Sequence, residues 1–257
     1  MRVFPLAASL FLFFSQSSSQ QTAPVVQRDA QAVALLQASV KAMGGTVPSD
    51  SVASGNVTIV AGSLTTNGTI RILTRGTNQS SEQTTLPNST YTVIYSQGLA
   101  DETINSTTTG IPLERAATSQ SVCFPLPFFA AALANSDDSI QYVALETSGQ
   151  QSLQHIRIQN TFASQPNFQQ FASFANFDVW LDATSSLPQR ISFARRNGGG
   201  ATPSISVDAF FSTYKTTSGA AYPSQINLSL NGTPWTAITI TSVALNTGLT
   251  NSNFPIQ

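Results

Sequence analysis

The chain has 257 residues, only 9% of them charged, with 11 Lys and Arg against 12 Asp and Glu. So even a balance gives neither the basic stripe of a nucleic-acid binder nor the acidic run of a solvating tail. Cys123 is the one cysteine, which rules out an internal disulfide; burial has to hold the fold, and Ser, Thr, Asn and Gln supply the polar surface.

Arg2 precedes an apolar run from Val3 to Phe14 and a polar stretch from Ser15 to Gln21, the layout of a secretory signal peptide. The run falls short of the roughly 20 apolar residues that span a bilayer. Ser17-Ser18-Ser19 offers a cleavage site before Gln20. Residues 1–20 are therefore expected to be a leader and 21–257 one exported domain, periplasmic or secreted, with no integral membrane segment. A lipid anchor would need a cysteine just after the apolar run, and Cys123 lies far from it.

From Asp29 to Met43 the apolar positions Val33, Leu36, Val40 and Met43 recur at helical spacing; Asp29 caps the start and Gly44-Gly45 supplies a left-handed stop. Four short alternating strands follow at Asn56 to Ala61, Gly68 to Thr74, Glu82 to Thr85 and Tyr91 to Tyr95. Their joints are Ala61-Gly62-Ser63, Asn67-Gly68 and Arg75-Gly76-Thr77-Asn78. The segment Pro125 to Leu133 reads as a short apolar helix with Pro127 in its first turn. Strands at Ile140 to Glu146 and Leu153 to Gln159 flank a hairpin at Gly149. The Phe-rich loop from Asn160 to Ser173 is expected to pack on the sheet or cover an edge.

The last third alternates most cleanly. Phe177 to Leu181, Ile205 to Phe211 and Gln225 to Asn231 each place apolar residues on one face and polar residues on the other, with turn residues at Asp182 to Pro188, Ser218-Gly219 and Asn231-Gly232. Sustained alternation belongs to an antiparallel sheet covered on one side. The predicted fold class is mainly β (α+β).

Taken together, the leader, the helix ending Gly44-Gly45, the strand meander, the apolar mid-chain helix and Val179-Trp180-Leu181-Asp182 with Leu187-Pro188-Gln189-Arg190 resemble the LolA/LolB-type lipoprotein-carrier superfamily. Phe211-Ser212-Thr213-Tyr214, Tyr222-Pro223-Ser224-Gln225-Ile226 and a final strand ending near Asn246 extend the resemblance over most of the chain. It implies a curved, unclosed antiparallel barrel of about 10–11 strands wrapping short helices. In the carriers the concavity accepts acyl chains; in a sensor branch it serves regulatory protein partners. The matching hairpin residues Trp180, Asp182, Leu187 and Pro188 are architectural, and Arg71 and Arg75 sit in no motif that aligns with a carrier's basic entrance residue.

Catalytic chemistry has little to rest on. His155 is the only histidine, on an alternating strand where pairing with a neighbour is its ordinary role, and no Gly-x-Ser-x-Gly elbow exists. Asp137-Asp138 reads as a turn, Asp178 and Asp182 share a strand face, and Gly198-Gly199-Gly200 lacks the ending of a phosphate loop. Neither a metal site nor a cofactor is expected. Seven Asn-x-Ser/Thr matches, beginning at Asn56, Asn67, Asn78, Asn88, Asn105, Asn227 and Asn231, are close to what a Ser/Thr-rich composition gives by chance. The ligand-binding candidates are Phe124, Leu126, Phe128, Phe129 and Leu133. They fill the core of a large β structure, or they line a partly open cavity for a lipid, an acyl chain or another amphiphile. The functional expectation is a non-enzymatic exported amphiphile binder. The alternative is an envelope protein-interaction or stress-sensing module with a filled cavity.

Overall fold

A computed structural model describes residues 25–118, 122–195 and 204–257. The expected leader and the Gly198-Gly199-Gly200 tip lie outside the described residues. Two antiparallel meanders make up the chain. The first comprises β1 (Asp50–Ala61), β2 (Leu64–Arg75), β3 (Gln79–Leu86), β4 (Ser89–Ser96), β5 (Leu99–Ile104) and β6 (Thr107–Gly110). The second comprises β7 (Asp138–Ser148), β8 (Gln151–Asn160), β9 (Asn176–Asp182), β10 (Pro188–Arg195), β11 (Ile205–Thr217), β12 (Ala220–Leu230) and β13 (Thr233–Leu245). Pairing of β1 with β13 joins them into one 13-stranded sheet that runs from β6 at one edge to β7 at the other without closing.

The turns follow from residues that tolerate positive φ. Gln97-Gly98, Ser218-Gly219 and Asn231-Gly232 all have φ between 48° and 86° at both positions, the type I′ geometry that matches the twist of a hairpin. The thirteen strands among the described residues exceed the expected 10–11, because β5 and β6 are too short and polar to alternate visibly. The Asn67-Gly68 joint is also corrected. The β1–β2 turn lies at Gly62-Ser63, and Asn67 and Gly68 sit inside β2 opposite Thr58 and Val57, with Thr58 Oγ1 donating to Asn67 Oδ1 at 2.8 Å. Gly68 suits that place because a Cβ there would come within 2.2 Å of the Thr85 carbonyl oxygen.

One face of the sheet, the inner one, is covered by α1 (Ala30–Ala42) and α3 (Pro125–Ala134), while α2 (Leu113–Thr118) packs beside β5. Asp29 caps α1 through the amides of Gln31 and Ala32. Gly44 ends it with φ +114°, where a side chain would collide with Gly219. Leu36, Met43 and Phe129 are fully buried against Ile72, Ile156, Val179, Ile191, Ile226 and Ile240. The Phe-rich loop contains a 3-10 segment, Pro166–Phe174, which rests on β8 and α2; Ala172, Phe168 and Phe171 within it cluster with Phe162 and Ala175 on either side.

Two polar anchors hold the cover and the tail. Arg28 donates to the carbonyls of Leu133 at 2.8 Å, Asn135 at 3.0 Å and Asp138 at 3.2 Å, where α3 leaves its last carbonyls unpaired. The adjoining backbone bonds Asp29 N to Ile140 O and Ile140 N to Gln27 O cover part of the β7 edge. Asp50 accepts from Thr247 N at 2.6 Å, Thr247 Oγ1 at 2.7 Å, Gly248 N at 2.9 Å and Leu249 N at 3.2 Å. That cradle starts the C-terminal segment, which then crosses to β5, where Gln257 N donates to Asp101; Phe254 is buried on the way. Asp137 lies in the turn expected between α3 and β7 but is buried there, receiving Ser164 N and Oγ, and Asp138 opens β7.

Asp50 and Asp138 titrate in opposite senses. Burial raises the Asp50 carboxyl, but its hydrogen bonds from Thr247, Gly248 and Leu249 outweigh that and hold it below the usual value. Its contribution is complete above about pH 4 and is lost as pH falls further. Asp50→Ala should cost on the order of 3 kcal/mol, and Asp50→Asn should flatten the acid limb of a melting-temperature profile recorded from pH 2 to pH 8. Burial pushes Asp138 up to about 7, against the pull of Asn135 and Arg28. The folded state then keeps a proton that the unfolded state has released between about pH 4 and 7, so stability declines across that window as pH rises. The melting temperature of Asp138→Asn should exceed that of the unsubstituted protein by a margin that widens from pH 4 to pH 8.

Candidate functional site

The site candidate forms where the start of α3 meets two hairpins. Phe124 precedes the helix in extended conformation without a side-chain cap, and Pro125 opens it. Proline at that position loses nothing, since its missing N–H has no partner in any helix start. A half-open pocket of about 180 Å³ lies between this turn, the β2–β3 hairpin and the β4–β5 hairpin. Phe124, Pro127, Phe128, Leu99 and Tyr95 give it an apolar side, and Thr74, Thr77, Asn78, Gln79 and Ser80 a polar one.

Of the five residues expected to bind a ligand, Phe124 and Phe128 line this pocket. Phe128 also packs on Phe129 and Phe177, with ring centroids 5.6 and 4.9 Å apart. Leu126 and Phe129 belong to the core, and half-buried Leu133 packs against it. The hairpin residues were not legible as a site. Their only signal is the turn pattern at Arg75-Gly76-Thr77-Asn78, and nothing in a linear sequence shows that this turn faces residues 124–128.

Electrostatics around the pocket are set by burial. Tyr95 is pushed up to about 12, by desolvation first and then by the negative charge of Glu82. Cys123 is also raised, by complete burial and by Glu82, with which it shares a hydrogen bond. Both groups are therefore neutral at physiological pH. Tyr91 is raised by burial and Glu102, and its hydroxyl bonds to Arg195, linking β4 to the end of β10 across the inner side. A second hollow of about 290 Å³, beside α2, contains the Glu102–Arg115 pair at 3.5 Å together with Ile104, Ile111 and Pro112.

His155 lies on the outer face of the sheet, away from this pocket. Its Nδ1 is 2.6 Å from Glu146 Oε1 and its Nε2 is 2.9 Å from Asp178 Oδ1. The ring stacks on Trp180 at 4.3 Å, the Trp180 indole donates to Glu146 Oε2 at 2.8 Å, and Arg190 lies over Trp180 at 4.2 Å while pairing with Asp208. Trp180 and then His155 hold the Glu146 carboxyl below the usual carboxylate value. Both histidine nitrogens are taken up by carboxylates rather than by a hydroxyl or thiol, so the group works as a cross-strand clamp. Sequence parity hides it. A bulge between Tyr142 and Ala144 in β7 carries Glu146 from the inner parity to the outer face. Asp182, on the same strand as Trp180, organises the hairpin by accepting from Thr184 N and Ser185 N.

No family model matches the chain, and no curated protein matches it in sequence. Solved structures do resemble it. A LolA superfamily protein of Nitrosomonas europaea matches with TM-score 0.58 and 11% identity, over 88% of this chain and 97% of that one. A protein domain named for outer membrane lipoprotein sorting, from Vibrio parahaemolyticus, matches with TM-score 0.59 and 13% identity, over 87% and 96%. A DUF1329 family protein of Desulfovibrio piger matches with TM-score 0.56 and 12% identity, over 90% and 98%. At such identities the likeness concerns architecture, and the architecture is shared almost end to end: the chain has a LolA-like fold, an unclosed antiparallel sheet wrapped around short helices.

Proposed function

We propose that this is a non-enzymatic exported protein that holds an acyl chain or another amphiphile against the inner side of its sheet, in the periplasm or outside the cell. The observation that carries the reading is the half-open pocket at the first turn of α3, with aromatic and aliphatic side chains on one side and hydroxyl and amide groups on the other. Mostly apolar concavities with a few placed polar groups are the usual form of small-molecule sites. The leader expected at residues 1–20 supports export. Among the described residues no helix is long and apolar enough to cross a membrane.

Volume limits what enters. A cavity of about 150 Å³ accommodates benzene, whereas drug-sized ligands occupy about 300–1,000 Å³. At about 180 Å³ the pocket accepts the end of a chain, and a longer one requires α3 or its neighbouring hairpins to shift. The competing reading, a protein-interaction or stress-sensing module, draws its support from the same fact, since Phe129 is 0% exposed and most of the concavity is already filled.

Solvent extraction of protein purified after secretion, followed by mass spectrometry, separates the two readings. Acyl-chain lipid should co-purify, and Thr77→Trp, placed at the exposed rim of the pocket, should reduce it several-fold without lowering the melting temperature. An extract free of lipid, or one unaffected by the substitution, favours the interaction module.

A further inference from the structure

The polar side of the pocket carries hydrogen-bonding groups but no charge. Thr74, Thr77, Asn78, Gln79 and Ser80 are uncharged, and Tyr95 holds its proton far above neutrality. Thr74 is paired with Ser51 at 2.6 Å and Gln79 with Arg75 and Ser96. The side chains of Thr77, Asn78, Ser80 and Tyr95 have no hydrogen-bond partner among the described residues. Of these, Ser80 is buried, Tyr95 half-buried, and Thr77 and Asn78 exposed.

Two further observations weigh against an anion here. A helix start attracts phosphate and carboxylate through its unpaired N–H groups. In α3 the prolines at 125 and 127 remove two of the four, and Phe124 caps nothing. The ionisable groups nearest in the strand register are Arg75, opposite Gln79, and Glu82. Glu82 lies two residues from Ser80 on the same face of β3, beside Val93 on β4, and acts on Cys123 and on Tyr95, there more strongly than either Arg115 or Arg195, which act in the opposite sense. Arg75 is engaged elsewhere, donating to Gln79 and to Asn251. The hollow beside α2 contrasts with this one in holding the Glu102–Arg115 pair.

We propose that the pocket at the start of α3 selects acyl chains with an uncharged, hydrogen-bonding head, an acylglycerol or similar ester, and rejects anionic heads. This rests on the amphiphile-binding reading above. The chain end sits against Phe124, Pro127 and Phe128, and the ester and hydroxyl oxygens exchange hydrogen bonds with Tyr95, Ser80 and Asn78. A phosphate or carboxylate in the same place gives up part of its water, finds no cation among the residues that line the pocket and is repelled by Glu82.

Isothermal titration calorimetry at pH 7.5 with 1-octanoylglycerol, octyl phosphate and octanoate, each below its micelle concentration, tests the assignment. The glycerol ester should bind about tenfold or more tightly than either anion. Tyr95→Phe and Ser80→Ala should each weaken the ester about three- to tenfold, the range expected of one hydrogen bond, with little effect on the anions; two variants guard against one that fails to fold. Equal or tighter binding of octyl phosphate or octanoate overturns the head-group preference while leaving amphiphile binding in place. Ester affinity unchanged in both folded variants overturns it as well. Absence of binding by all three probes overturns both this inference and the reading beneath it.

Discussion

A sheet that curves without closing must have its inner face covered, and in this chain the cover is a ten-residue helix with almost no polarity of its own. α3 spans Pro125–Ala134 and contributes Leu126, Phe128, Phe129 and Ala132 to the core. Burying one such large side chain stabilises the fold by about 1.5–3 kcal/mol, so the helix is held chiefly by what it covers. Its two ends are fixed differently. Arg28 satisfies the carbonyls at the C-terminal end, whereas the N-terminal end has prolines in place of donors and no capping side chain. The pocket lies at the less tightly held end. Ligand sites commonly draw on the less stable parts of a structure, and the same sequence choice, proline at 125 and 127, both opens the helix and strips it of anion-binding amides.

The first meander and the second are also tied together away from β1 and β13. Tyr91 on β4 reaches Arg195 at the end of β10, and α2 rests against the 3-10 segment that follows β8. These cross-links narrow the opening of the inner side. On the outer face the Glu146, His155, Asp178, Trp180 and Arg190 group fastens β7 to β10. The Arg190–Trp180 stacking is worth about 1 kcal/mol. The combined effect of the group is to fix register.

Local signals in the sequence were enough for the helices at 30–42 and 125–134, for the alternating strands β9, β11 and β12 and for the LolA-like architecture, because each rests on spacing within a short window. Trp180 and Asp182 keep the structural roles that the hairpin motif suggested. Three things were hidden by long-range geometry or by short length. β5 and β6 are polar and brief; the bulge at Val143 changes which face Glu146 occupies; and the pocket is assembled from residues 74–80, 95–99 and 124–128, which become neighbours only when the first meander curls over α3. The apolar segment 124–133 drew attention by composition alone. Composition cannot distinguish Phe124 and Phe128, core residues that also reach the pocket, from Leu126 and Phe129, which serve the core alone.

The account stands on the location of the bound chain. A nitroxide-labelled acylglycerol added to isotopically labelled protein, with paramagnetic broadening read amide by amide, measures that location directly. Broadening concentrated at Tyr95, Gly98, Leu99, Phe124 and Phe128, with the amides of His155 and Trp180 untouched, is the predicted result. Broadening spread over the outer face, or centred on the hollow beside α2, would contradict the account.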